Sequence, residues 1–370
     1  MKPDHKFIGL DHLRALAISL VFIYHYTAFQ HPGWMNNHLI RFGWCGVDLF
    51  FVLSGFLISN LLFSEWQKRN RISLTIFYLK RAFRILPPYF FVLLIYIFVP
   101  AFHERETLAP LWKMFSFTQN YHQNIEIYGT FSHAWSLCVE EQFYLLLPLL
   151  LIGILSSRLK KRSGWLIPAI FLLTLIFRWI AWNLYLKPFQ DSDDFLMNWY
   201  RLIYYPTYTR LDGLITGVGI AAVYRFRENW FSAMKRFANW ILLGGIVVFI
   251  ISFYICIDQH AAAATLFGFS VIAIAFGLFV LSGILPGSIL FRTKSVITRN
   301  LATLSYSLYL SHKGIIHLTQ NWLSGLGMRG DSNMTLVICV LTCIAGAVFM
   351  RMAIEKPFFR LRNKALKYIS

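Results

Sequence analysis

A chain of 370 residues that is 57% hydrophobic and only 14% charged carries more apolar side chain than one soluble core of this length requires. Its formal net charge of +18 would suit a nucleic-acid binder if the basic residues lay on a solvated face, but they fall between long apolar runs. The composition therefore points to an integral membrane protein and away from a nucleic-acid partner.

The apolar runs, each near the roughly 20 residues that cross a hydrocarbon core of about 30 Å, number ten. They cover residues 8–29, 46–64, 86–102, 134–155, 165–186, 209–224, 238–257, 263–282, 301–322 and 334–354. This pattern predicts an all-α polytopic membrane protein of about ten transmembrane helices in one bundle. With the N-terminus inside, 25 basic residues fall in inner loops and tails, among them Lys2, Lys6, Lys68, Arg69, Arg71, Arg158, Lys160, Lys161, Arg162, Arg225 and Arg292. Only Arg41, Arg105, Lys113, Lys187, Arg201 and Arg329 fall outside, with the acidic Asp191, Asp193 and Asp194. The asymmetry predicts a multi-pass protein of the cytoplasmic (inner) membrane with both termini cytoplasmic and its basic side against anionic lipid.

The first run is too long for a signal peptide and contains Arg14 and His25, so it is expected to be retained. Residues 1–370 read as a single transmembrane domain with no appended soluble domain, linker or internal repeat. Cys45, Cys138, Cys256, Cys339 and Cys343 lack metal-ligand spacing and read as small hydrophobes; no metal site is expected.

Ionisable groups at hydrocarbon depth cost about 2.5–3.5 kcal/mol each on insertion scales, which marks them as functional candidates. The first run carries Asp11, Arg14 and His25. At 100° per residue Arg14 and His25 lie about 20° from alignment and roughly 16 Å apart along the axis. They suit either a catalytic pair, or an Asp11–Arg14 ion pair with a separately satisfied histidine. In Gly46-Val47-Asp48 through Ser54-Gly55-Phe56, Asp48 lies near the outer end, while Gly55 and Ser59 form a face for close helix approach. Before the third run, Arg81 and Arg84 would project from one side of a helix, either to grip phosphates or as plain inner charge. In Ala134-Trp135-Ser136-Leu137-Cys138-Val139-Glu140-Glu141-Gln142-Phe143-Tyr144, steps of four put Ser136, Glu140 and Tyr144 on one stripe, with His133 nearby and Glu141 about 100° away. Arg210-Leu211-Asp212-Gly213, Ser305 to His312, and Glu355-Lys356-Pro357 also suit structural duties: helix glue for Tyr and Ser, a stop signal for Glu-Lys-Pro.

Taken together, these segments resemble the membrane acyltransferase family called acyltransferase 3. The resemblance rests on Leu10-Asp11-His12-Leu13-Arg14 with His25, Gly46-Val47-Asp48 through Phe56, Arg81 to Arg84 before a proline, Trp135-Ser136-Leu137 with Glu140, Ser305 to Leu310 with His312, and Glu355-Lys356-Pro357. It departs at His12, where the family commonly has glycine. The resemblance implies transfer of an acyl group, often acetyl, from cytoplasmic acyl-CoA to a hydroxyl, typically of a cell-surface polysaccharide or its precursor. His25, Arg14, Glu140 and Asp48 would then be catalytic, Arg81, Arg84 and Arg14 would hold acyl-CoA, and Trp135, Ser136, Tyr144, Tyr309 and His312 would bind substrate. His25 would act as base or acyl carrier, with Glu140 or Asp48 orienting its other nitrogen. The alternative is a transporter or flippase using buried Asp, Glu and His as a proton relay.

Overall fold

The computed structural model describes residues 7–157 and 163–368. Among the basic residues assigned to the inner side, Lys2, Lys6, Arg158, Lys160, Lys161 and Arg162 lie outside the described residues. The described chain is all-helical, without a strand. Its long helices are α1 (Ile8–Tyr26), α2 (Gly46–Arg69), α3 (Leu74–Phe98), α4 (Trp135–Ser156), α5 (Leu166–Ala181), α6 (Leu211–Phe226), α7 (Ala238–Ile255), α8 (Phe269–Ile284), α9 (Val296–Gly325) and α10 (Asn333–Met350). A basic amphipathic helix, α11 (Lys356–Lys367), follows.

Among the described residues, eight helical stretches are long and apolar enough to cross a membrane. The other two expected runs are helical as well. With 16 residues, α6 spans only about 24 Å at 1.5 Å per residue. At 30 residues α9 is long enough, but Arg299, His312, Lys313 and Gln320 dilute its apolar character.

Local signals explain the helix ends. Ser73 caps α3 by accepting the Ile76 N–H at 3.4 Å, while Glu65 accepts the Ser73 N–H at 3.1 Å. The helix therefore starts well before the expected residue 86 and carries Arg81 and Arg84 within it, with Pro87 and Pro88 in its interior. Those prolines donate no N–H to the ladder. The carbonyls this frees, four residues back, are those of Phe83 and Arg84. The Tyr306 hydroxyl of α9 donates to the next carbonyl, that of Ile85, at 2.9 Å and ties α9 to α3 beside the prolines. Ser295 and Ser332 cap α9 and α10 in the same manner as Ser73.

The most extensive packing joins α2 to α6, α7 to α8, and α9 to both α1 and α10. Gly55 sets the first contact: a Cβ there would strike the Leu214 carbonyl of α6. This is the close approach for which small residues are used between membrane helices. His12 ties α1 to the start of α9 through the Thr293 carbonyl at 2.9 Å and the Thr298 hydroxyl at 2.8 Å. All five cysteines are buried free thiols.

Candidate functional site

A cavity of about 690 Å³ opens at the end of the bundle where α2 finishes and α3 begins. Its mouth is basic, with Lys68, Arg69, Lys80, Arg81, Arg84 and Arg225 in the lining, and Arg14 of α1 lies among the wall residues. The helical spacing of Arg81 and Arg84 turns both to the cavity, and the Arg81 guanidinium sits over the Tyr144 ring at 5.6 Å. Glu140 accepts from the Ser54 hydroxyl at 3.0 Å and from the Tyr144 hydroxyl at 2.8 Å, so the expected stripe of α4 is held as a polar wall. Glu141 lines the cavity too. Ser136 and Tyr309 share a 2.6 Å hydrogen bond between their hydroxyls, and Tyr309 also donates to the His133 carbonyl at 2.6 Å.

Past Tyr309 stands a cluster of three imidazoles. His25 of α1 and His312 of α9 meet through Nδ1 and Nε2 at 2.7 Å, with ring centroids 4.9 Å apart. The His133 ring lies 5.1 Å from that of His312 and 5.9 Å from that of His25. His133 and His312 are buried, whereas His25 is half-buried. Lys313, paired with Glu104 at 3.0 Å, stands within electrostatic reach of all three rings. Glu104 also accepts the Phe131 N–H at 3.1 Å, so this ion pair fastens the segment between α3 and α4 over the cluster.

A second buried polar group lies among α2, α5, α6 and α8. Asp48 pairs with Arg210 at 2.7 Å, and Asp212 with Arg178 at 2.8 Å. Ser270 donates to Asp212 at 2.9 Å. The Arg210 guanidinium lies 3.9 Å from the Phe269 ring centroid and 4.8 Å from that of Tyr204, with Trp135 at 5.4 Å.

The structure thus gathers Arg14, Arg81, Arg84, Ser136, Glu140, Tyr144 and Tyr309 around one cavity, and His25 with His312 just beyond it. It does not bring Asp48 or Glu140 to the other nitrogen of His25; His312 is there instead. Asp48 and Trp135 sit in the ionic group with Arg210, and the cavity lining includes neither. Arg178, Lys313 and the paired role of Arg210 and Asp212 escaped the sequence reading. Arg178 and Lys313 are charges inside helical apolar runs, a signal applied there to α1, α2 and α4 only.

A family model described as an acyltransferase domain matches residues 7–352. Among curated proteins, the chain is 29% identical to the O-acetyltransferase OatA of Staphylococcus aureus, over 98% of this chain and 58% of that protein. It is 27% identical to the peptidoglycan O-acetyltransferase OatA of Listeria monocytogenes, over 84% of this chain and 49% of that protein. The chain therefore spans about half the length of these relatives. No solved structure matches it.

Proposed function

Since this chain belongs to the membrane acyltransferase family called acyltransferase 3, we propose that it moves an acyl group, acetyl foremost, from acyl-CoA to a carbohydrate hydroxyl such as one on peptidoglycan. The observation that carries this reading is the cavity. Its 690 Å³ falls within the range of about 300–1,000 Å³ usual for small-molecule and cofactor sites. A mouth of six cations around a polar wall suits a long, polyanionic donor with a reactive end. Both termini, and with them this mouth, would face the cytoplasm.

The donor's phosphates would lie against Arg81, Arg84 and their basic neighbours, with the arm running past Arg14 toward Ser136 and Tyr309. In the transfer step the acceptor oxygen bonds to the thioester carbonyl carbon, and His25 takes the hydroxyl proton. The C–S bond then breaks, and the thiolate leaves and regains that proton as free thiol. Lys313, the cation beside the three imidazoles, supplies positive charge for the oxyanion that forms between those events, while Arg14, about 16 Å from His25 along α1, holds the donor's arm. Asp48 and Asp212 each pair with an arginine, which weakens the proton-relay alternative by removing two unpaired carboxylates from it.

The test is to incubate the protein in lipid nanodiscs with radiolabelled acetyl-CoA and soluble peptidoglycan fragments, following free thiol and labelled ester. Ester formation that His25→Gln abolishes is the expected result, because an amide cannot take up a proton near neutral pH. Absence of both CoA binding and thiol release would overturn the reading.

A further inference from the structure

His312 has two separable jobs. Its Nδ1 lies 3.0 Å from the Leu308 carbonyl and 2.9 Å from the Tyr309 carbonyl, both in the preceding turn of α9. Carbonyl oxygens only accept, so this nitrogen must carry the proton. The other nitrogen, Nε2, then presents its lone pair to His25 at 2.7 Å. A lone pair can be met only by a donor, so His25 carries its proton on Nδ1. Nε2 of His25 is left bare, without a hydrogen-bond partner among the described residues.

We propose that His312 is the positioning residue that fixes the tautomer of His25, making Nε2 the nitrogen that receives a proton. This rests on the acyl-transfer reading above for its purpose, although the tautomer itself can be observed without any reaction. The device works as a ratchet of donors: a helix backbone orients one imidazole, and that imidazole orients the next. It replaces the carboxylate that commonly orients a histidine with a neutral group. Such a partner suits a buried site beside Lys313, since it adds no further charge.

The two jobs can be divided by side-chain shape. Glutamine places an amide oxygen near the position of Nε2, so His312→Gln keeps an acceptor for His25. Asparagine places its amide near the position of Nδ1, so His312→Asn keeps the donor to the backbone carbonyls and loses the acceptor. The positioning role predicts that Gln retains kcat within a few fold, while Asn lowers kcat by about 10- to 100-fold with a wild-type melting temperature. A merely structural role predicts the reverse order.

The decisive readout is ¹⁵N NMR of histidine-labelled protein in nanodiscs, with His25 assigned by difference against His25→Gln. The expected spectrum has a protonated Nδ1 and a bare Nε2 on His25, lost in His312→Asn and kept in His312→Gln. A His25 that is Nε2-protonated in the wild type, or unmoved in His312→Asn, overturns the proposal even where acyl transfer is intact. The expected spectra together with absent transfer would instead leave the proposal standing and sink the acyl-transfer reading.

Discussion

Breaking the Asp48–Arg210 pair separates structure from chemistry at a residue whose position in the motif invites either reading. The two side chains are 2% and 0% exposed and 2.7 Å apart, so no water stands ready to replace a missing partner. Among the described residues, two further guanidinium nitrogens of Arg210, Nε and Nη1, have no acceptor, and the group lies against the faces of Phe269, Tyr204 and Trp135. Removing one partner of such a pair costs about 3–5 kcal/mol, because the other charge is left buried and uncompensated. With an unfolding entropy of about 2.1 cal/mol/K per residue, a cooperative chain of 370 residues should melt roughly 4–6 °C lower in Asp48→Ala. Joint replacement by Asp48→Leu and Arg210→Met removes both charges and should recover most of that loss. Melting in nanodiscs, followed by tryptophan fluorescence, gives the stability, and acyl transfer per folded molecule gives the chemistry. An Asp48→Asn protein that melts like wild type yet transfers acyl groups 100-fold more slowly would refute this reasoning and make Asp48 a member of the reacting centre.

Three further outcomes are expected. Replacing Arg81 and Arg84 together by Ala should weaken CoA binding at least tenfold by calorimetry, with Lys restoring only part, because a point charge cannot copy a planar fork; unchanged affinity would reduce both to inner-side charge. A reporter active only after export should be silent when fused at the C-terminus and active in the segment between α3 and α4, and the opposite result would invert the proposed topology. Gly55→Ala should cost about 1–3 kcal/mol in melting experiments, because its methyl meets the Leu214 carbonyl at the tightest joint of the bundle; a neutral effect would show that α2 and α6 can slide apart.

Much of this arrangement was legible in the sequence, for a physical reason. Within one helix, spacing fixes which side chains share a face, so the stripe of Ser136, Glu140 and Tyr144 and the common side of Arg81 and Arg84 followed from a 3.6-residue period. Alignment of Arg14 with His25 was equally local. Pairings between helices were a different matter. His25 and His312 are 287 residues apart in sequence, and nothing in the period of either helix says that α1 packs on α9. For the same reason Glu140 and Asp48 looked like equal candidates to orient His25, until packing gave each its own partner. Run length also misled at α3, where the apolar run begins at residue 86 but the helix begins at Leu74 and holds Pro87 and Pro88 in its interior.

Of the ten long helices α1 to α10, the least apolar by composition is α9, the one that joins the cavity to the imidazoles. Residues of α9 three apart, Tyr306, Tyr309 and His312, face respectively the proline region of α3, the cavity and His25. Tyr309 therefore belongs to both compartments: it lines the cavity, and its ring centroid lies 6.1 Å from that of His312. The boundary there consists of neutral hydrogen bonds: the Ser136 hydroxyl donates to that of Tyr309, which donates to the His133 carbonyl. Each is worth roughly 0.5–1.5 kcal/mol net. The flank formed by α2, α5, α6 and α8 is instead held by two buried ion pairs, and freeing either would cost about 3–5 kcal/mol. Rearranging the Tyr309 side therefore costs less than disturbing the ionic flank, and that side is where the cavity and the three imidazoles adjoin.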